Sequence, residues 1–334
     1  MNQDLEVTVV IPTRDRWRLL ARNALPSALG QEAVACEVVV VDDGSRDGTH
    51  ARLTELAEPR LRVVRHERSL GVARARNAGI AAARGEWVAF LDDDDVWAPH
   101  KLRRQIDTAR EASAGFAYGG VVSVSEEGVV NYPFVLPDPD ALLDELLARS
   151  SLPAGCSNVI VRADLVRRLA GFDERLFQLA DWDLWIRLAH ESHAAACPDV
   201  LVGYLEHAEN MLLTHEHDVT TELEQIGAKH AALRHARGVD LDGVTFLHWV
   251  AWGYLRRGRR LRAARVYLRC GLKHRRVHDL GLAVAFALRS IVPIGWLRRL
   301  LRRPGGASGV ETRIPADPPA WLAELRWQDP DPSG

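Results

Sequence analysis

Glu86-Trp87-Val88-Ala89-Phe90-Leu91-Asp92-Asp93-Asp94-Asp95 decides how this chain is read. The apolar run predicts a strand, and it stops at four adjacent carboxylates followed by Val96-Trp97-Ala98-Pro99. Neighbouring anions repel, so a fold that holds four of them together supplies a cation or a set of donors. Hard divalent cations take oxygen ligands, and magnesium is commonly held by one or two carboxylates plus substrate phosphates. The run therefore reads as a metal site at the carboxyl end of a strand, facing a phosphorylated ligand, or else as a solvated acidic loop.

Upstream, Val7-Thr8-Val9-Val10-Ile11 is a continuous β-branched run stopped by Pro12. That pattern predicts a strand buried on both faces of a parallel sheet. Arg16 to Leu29 reads as a helix and Glu37 to Val41 as a second buried strand, ending in Asp42-Asp43-Gly44-Ser45. A helix through Ala57, a strand over Leu61 to Arg65 and a helix from Val72 to Arg84 come next, before the strand Trp87 to Leu91. Strands alternating with helices predict βαβ units and a doubly wound sheet. In such sheets ligands bind outside the carboxyl ends of the strands. Those ends carry Pro12-Thr13-Arg14, Asp42-Asp43-Gly44-Ser45 and the acidic run, so three polar clusters should share one edge. Asp42 or Asp43 suits a ribose hydroxyl or a base imide, while the same four residues also suit a turn and a helix cap. A Rossmann dinucleotide site is disfavoured, because Pro-Thr-Arg stands where GxGxxG would be.

Downstream, Phe116 to Val124, Val129 to Tyr132 and Ser157 to Arg162 read as strands, and Asp138 to Arg149 and Ala163 to Leu169 as helices. From Asp181 a further helix is expected, with Leu184, Trp185 and Leu188 on its apolar face. Asp181 falls in its first turn, where the helix dipole favours a carboxylate. On that ground alone it is an N-terminal cap.

Six stretches together resemble the family 2 glycosyltransferases. They are Val9-Val10-Ile11-Pro12-Thr13, Val40-Val41-Asp42-Asp43-Gly44-Ser45, Gly71 to Gly79 with Arg76-Asn77, Phe90 to Trp97, Gly171-Phe172-Asp173-Glu174, and Asp181-Trp182-Asp183-Leu184-Trp185-Ile186-Arg187. The resemblance covers about the first 215 residues and implies a GT-A fold, a mixed sheet flanked by helices. It also implies inverting, nucleotide-sugar-dependent transfer. By position, Pro12, Thr13, Arg14 and Asp43 would line the nucleotide pocket. Arg76 and Asn77 would meet the nucleotide and diphosphate, and Asp93 would lie close to the ribose. Asp92 and Asp94 match the DxD motif for manganese or magnesium, whose Lewis acidity would neutralise the leaving group. Asp181 matches the catalytic base, and His207 resembles a histidine that approaches the metal or diphosphate. A lone histidine is in general more often structural.

Two departures stand out: Ala180 replaces the glutamate usual before the base, and Arg14-Asp15 replaces tyrosine-asparagine. A sugar nucleotidyltransferase is the competing enzyme reading, but it calls for a glycine-rich basic loop after the first strand. A silent nucleotide-sugar or membrane-binding protein is the non-enzymatic reading, with Ala180 in its favour.

The 334 residues allow roughly two domains. A content of 47% hydrophobic and 26% charged residues fits a globular protein with a sizeable core. The net charge of -2 gives no case for nucleic acid. Four scattered cysteines without CxxC spacing read as buried thiols in a reducing compartment. The polar start, Met1 to Glu6, suggests no signal peptide, and no apolar stretch is long enough to span a bilayer. The expected division is a catalytic domain over 1–215, a basic helical subdomain over 216–303 and a mobile Pro/Gly-rich tail over 304–334 in which Trp321 to Trp327 could dock. From Arg256 to Arg303 there are fourteen arginines against one acidic residue, Asp279. Basic amphipathic helices with Trp, Phe and Leu can lie in a membrane interface. The same helices also suit a subdomain packed on the catalytic domain with a solvated basic face, so the expected location is cytoplasmic, with peripheral contact at the anionic inner face of the plasma membrane as the alternative for the basic face. The expected acceptor is a carbohydrate, lipid-linked or small molecule.

Overall fold

The computed structural model describes residues 5–126, 128–207, 219–256, 258–291 and 319–324. The chain divides into two compact units, Met1–Leu146 with Ser151–His207 and Thr312–Gly334, and Leu147–Ser150 with Ala208–Glu311. The tail expected over 304–334 lies outside the described residues except for 319–324, as does the end of the expected helical subdomain beyond Ile291.

The first unit is built on one nine-stranded sheet. Its strands are β1 (Val7–Thr13), β2 (Cys36–Asp42), β3 (Leu61–Arg65), β4 (Trp87–Phe90), β5 (Val96–Trp97), β6 (Phe116–Val124), β7 (Val130–Pro133), β8 (Ile160–Arg162) and β9 (Ala194–Leu205). The order is β3-β2-β1-β4-β8-β6-β9-β5, with β7 beside β6. The parallel reading holds for β3-β2-β1-β4, whose valine-rich strands β1 and β2 are buried along their whole length. It fails beyond β4, because β8 runs antiparallel to both β4 and β6, and β5 antiparallel to β9. The sheet is mixed.

This topology places the site. β1 and β2 pair from Val7↔Cys36 to Thr13↔Asp42, and Leu91 N donates to Val10 O, so the three polar clusters do share one edge. An antiparallel β8 begins where β4 ends, which brings the turn Gly155–Asn158 beside Asp92. The pairing Val96↔Gly203 sets the end of β9 against the acidic run and delivers His207 to it.

β5, β9 and the helix Lys101–Glu111 are among the described elements that have no counterpart in the sequence reading. That helix buries Lys101, Leu102, Gln105, Ile106 and Ala109 along one face. β9 opens Ala-Ala-Ala-Cys-Pro-Asp, poor strand formers, and takes its conformation from parallel pairing with β6. A shift in that pairing after Gly119↔Cys197 absorbs Pro198. In the short helix Ala320–Glu324, Trp321 Nε1 donates to Val200 O at 3.0 Å and Leu322 is buried in the core.

The described part of the second unit holds the helices Val219–Lys229, Ala231–Arg237, Gly243–Arg256, Arg260–Lys273 and Val277–Ile291. Its buried polar centre is Asp279, which pairs with His248 Nε2 (3.0 Å) and accepts from Cys270 Sγ (3.3 Å) and Arg276 Nε (3.0 Å). Among the described residues, His248, Cys270 and Asp279 are the one trio of metal-type ligands within 4.8 Å of one another. Arg276 supplies the positive charge there, so the trio reads as a satisfied network. Burial and the Asp279 carboxylate push the Cys270 thiol up to about 12. No described helix is long and apolar enough to cross a membrane.

Candidate active site

The four carboxylates have four different fates. Asp95 is buried and structural: Oδ2 accepts from Ser157 Oγ (2.6 Å) and Oδ1 from Leu205 N (3.0 Å), tying the run to the turn before β8 and to β9. Burial, then Asp94 and Asp92, push its carboxyl well above the usual range. Asp94 Oδ2 accepts from Arg16 Nη2 (2.9 Å) and lies 2.8 Å from His207 Nε2. Burial works to raise its pKa, but His207 and Arg16 hold it below the ordinary value. Asp93 accepts from Thr13 Oγ1 (2.8 Å) and Arg16 Nη1 (2.7 Å), yet burial dominates and lifts it to about 7. Asp92 is the most open of the four to solvent and pairs with Arg76 Nη2.

Arg76 lies on the helix Val72–Ala82, buried, with its guanidinium 5.4 Å from the centre of the Phe172 ring. Burial disfavours its charge, and Asp92 and Asp181 more than restore it. Its Nε is buried without a hydrogen-bond partner among the described residues. Phe172 also meets Phe90 of β4 (5.1 Å) and Trp185 (6.3 Å), so an aromatic cluster ties the acidic strand to the helix Ala180–Glu191. Each such contact contributes about 0.5–1.5 kcal/mol beyond area burial.

Asp181 stands in the first turn of that helix, half-buried, accepting from its neighbour's backbone, Trp182 N, at 2.7 Å. It does not cap the helix: the N-cap is Leu179, and no side chain bonds there. Desolvation raises its pKa, against the pull of Arg76. Its Oδ2 fits over Gly155, where an added Cβ would lie 2.6 Å away. Asp183, by contrast, is fully buried and pairs with Arg187, which also donates to Leu169 O and Gly171 O.

Two expected donor contacts are engaged within the protein. The Asp43 carboxylate meets His66 Nδ1 (2.7 Å) and accepts from Ser69 Oγ (2.6 Å), Leu70 N (2.9 Å) and Gly71 N (2.9 Å). Burial alone would raise its pKa, and these four donors lower it. In this structure Asp43 shapes the loop before the Arg76 helix. Asn77 spends its amide on Phe172, donating to its O (2.9 Å) and accepting from its N (2.8 Å). It braces the turn that carries Phe172. Arg14 is exposed and donates to Ser69 Oγ at 3.1 Å, away from the acidic run, whereas Pro12 and Thr13 are buried in β1. Arg16 and Ser157 reach the run without having been singled out in the sequence.

Asp94 and His207 are the pair that could hold a divalent cation, with Asp92 nearby but not within 4.8 Å of both. Asp94 and His207 offer an oxygen and a nitrogen side by side, and Asp92 a second, more open carboxylate. Manganese or magnesium needs few protein ligands when a diphosphate supplies the others.

Residues 8–169 match the family model described as Glycosyl transferase family 2. The succinoglycan biosynthesis protein ExoO of Rhizobium meliloti (strain 1021) is 45% identical over 123 residues, 37% of this chain and 35% of that protein. WfgD of Escherichia coli, named a UDP-Glc:alpha-D-GlcNAc-diphosphoundecaprenol beta-1,3-glucosyltransferase, is 28% identical over 193 residues, 58% of this chain and 73% of that one. The aligned stretch thus spans about a third of ExoO and nearly three quarters of WfgD. Among solved structures, S. aureus TarS 1-349 in complex with UDP-GlcNAc superposes with a TM-score of 0.54 at 17% identity, covering 86% of this chain and 92% of that one. That likeness establishes the fold as the GT-A type expected from the motifs.

Proposed function

We propose that this chain, whose residues 8–169 belong to glycosyl transferase family 2, moves a sugar from a nucleoside-diphosphate donor to an acceptor hydroxyl by single displacement with inversion. The observation that carries this is the position of Arg76. One buried guanidinium pairs with Asp92 of the acidic run, acts on Asp181 and keeps a donor with no partner among the described residues. The donor diphosphate would lie by Asp92, Asp94 and Arg76, and Asp181 would take the proton of the attacking hydroxyl. Asp94, His207 and Asp92 would hold manganese or magnesium, which when bound supplies Lewis acidity at the departing diphosphate. Pro12, Thr13 and Asp93 would border the nucleoside, with Asp43 reaching the base by exchanging one of its loop donors. The reading takes 1–215 as catalytic and 216–303 as a helical subdomain. UDP is the favoured carrier, since the TarS neighbour is described with UDP-GlcNAc. Calorimetry with UDP, GDP and dTDP, each with Mn2+ and with chelator, tests the site. One nucleotide should bind in a metal-dependent manner, with the metal dependence lost in Asp94→Ala. No binding of any of the three by folded protein overturns the donor site.

The acceptor reading comes from the second unit. Trp249, Trp252, Leu261, Leu268 and Leu272 are exposed on helices that also carry Arg262, Arg265, Arg269 and Lys273. Apolar side chains among cations suit an anionic lipid surface, and the E. coli relative is named for a lipid-diphosphate acceptor. We infer peripheral contact with the membrane and a lipid-linked acceptor. The full chain should co-sediment with phosphatidylglycerol-containing vesicles and not with phosphatidylcholine alone. Equal partitioning to both, or to neither, sinks this reading.

A further inference from the structure

Arg16 lies across the centre of the candidate metal site. Its Nη1 is 2.7 Å from Asp93 Oδ1, and its Nη2 is 2.9 Å from Asp94 Oδ2 and 3.1 Å from His207 Nε2. The Arg76 guanidinium likewise holds Asp92. Two arginines thus neutralise the carboxylates that a divalent ion would use. Correspondingly, Asp92, Asp94 and His207 do not form a ready trio: among the described residues only His248, Cys270 and Asp279 bring three ligand atoms within 4.8 Å of one another.

We propose that Arg16 is a resident counter-ion that metal and nucleoside diphosphate displace together, so that the two ligands bind as a coupled pair. The inference rests on the donor-site reading above. A metal ion arriving alone must break the charge-assisted hydrogen bonds of Arg16 to Asp93 and Asp94, and it places two positive charges beside a third. A diphosphate removes that obstacle, because its oxygens give the displaced guanidinium a new bidentate partner. Arg16 therefore weakens metal binding in the free protein and strengthens it once nucleotide is present. Linkage requires the effect to be reciprocal: metal must tighten nucleotide by the same factor.

The test is a Mn2+ titration followed by electron paramagnetic resonance, with and without saturating UDP. Wild type is compared with Arg16→Gln, after subtracting the Mn–UDP that forms in protein-free buffer. Wild type should bind Mn2+ about tenfold or more tightly with UDP, within the usual range of coupling. Arg16→Gln should bind Mn2+ alone about tenfold more tightly than wild type, and the UDP-dependent ratio should fall by about the same factor, leaving the coupling that direct ligation by the diphosphate supplies. Wild type that binds Mn2+ equally with and without UDP overturns the proposal, whether or not the variant folds. If wild type couples the two ligands but Arg16→Gln binds Mn2+ alone no more tightly, the role of Arg16 falls and the donor site stands. If wild type binds neither UDP nor Mn–UDP, both fall.

Discussion

Asp181→Asn should lower sugar transfer by about 10²–10⁴-fold, the usual contribution of a positioned base, while nucleotide affinity measured by calorimetry stays at the wild-type value. Asparagine keeps the shape and the oxygen that accepts from Trp182 N, so helix geometry gives no reason for the fold to fail. What it loses is the ability to take a proton. The pH profile separates this from a structural effect. Desolvation raises the Asp181 pKa and Arg76 only partly offsets it, and the base works deprotonated. The log of kcat/KM should therefore fall as pH falls through a pKa above the ordinary value of about 3.9, and that limb should vanish in the variant. Stability should move the other way. A carboxyl whose folded pKa exceeds its unfolded one binds protons more readily when folded, so its ionisation at neutral pH opposes folding. Asp181→Asn removes that opposition and should raise Tm at pH 7. Gly155→Ala reaches the same carboxylate from outside, since the new methyl would press on Oδ2 at 2.6 Å. A displacement of this kind can cost about 10²-fold in rate, again without loss of nucleotide binding. Transfer by Asp181→Asn within threefold of wild type would dismiss it as the base.

The motifs gave the parallel half of the sheet because β1 and β2 are encoded locally, in valine runs that suit nothing but a strand buried on both faces. The antiparallel half was less legible. β9 is alanine, cysteine, proline and aspartate until Val200, and only its partner β6 makes it a strand. The same division runs through the site. A carboxylate run after a strand announces itself, but which of its members faces a ligand depends on neighbours far along the chain. Asp95 looks identical to Asp94 in the sequence and is taken by Ser157 and by Leu205. Asp43 and Asn77 occupy the positions that the motifs assign to the donor, and both are engaged in building the loops around it. Arg16 sits three residues past β1, as the N-cap of the short helix Trp17–Leu19, where an arginine is usually solvated. Its approach to Asp93 and Asp94, 77 and 78 residues away, follows from β1 and β4 being adjacent.

Arg76→Gln should act on both poles of the site at once. Glutamine cannot supply the charge that pairs with Asp92 or the planar fork that a diphosphate would engage. Charge-assisted hydrogen bonds contribute about 1.5–3 kcal/mol each, so nucleotide affinity should fall by about 10²-fold, at roughly 1.4 kcal/mol per tenfold. The second effect lies at Asp181. The Arg76 cation favours the ionised form of that carboxyl; without it desolvation is opposed chiefly by the backbone hydrogen bond from Trp182 N, and the pKa climbs. The acid limb of kcat/KM should therefore move to higher pH in Arg76→Gln. Arg76→Lys provides the contrast, since it retains the charge but not the fork. Its limb should stay near that of wild type while its nucleotide affinity still drops. Burial of Arg76 makes misfolding the first thing to exclude, by comparing the thermal transitions of both variants with wild type. If the variants fold and the limb lies at the same pH in all three proteins, Arg76 does not govern Asp181, and the two halves of the proposed site are electrostatically independent.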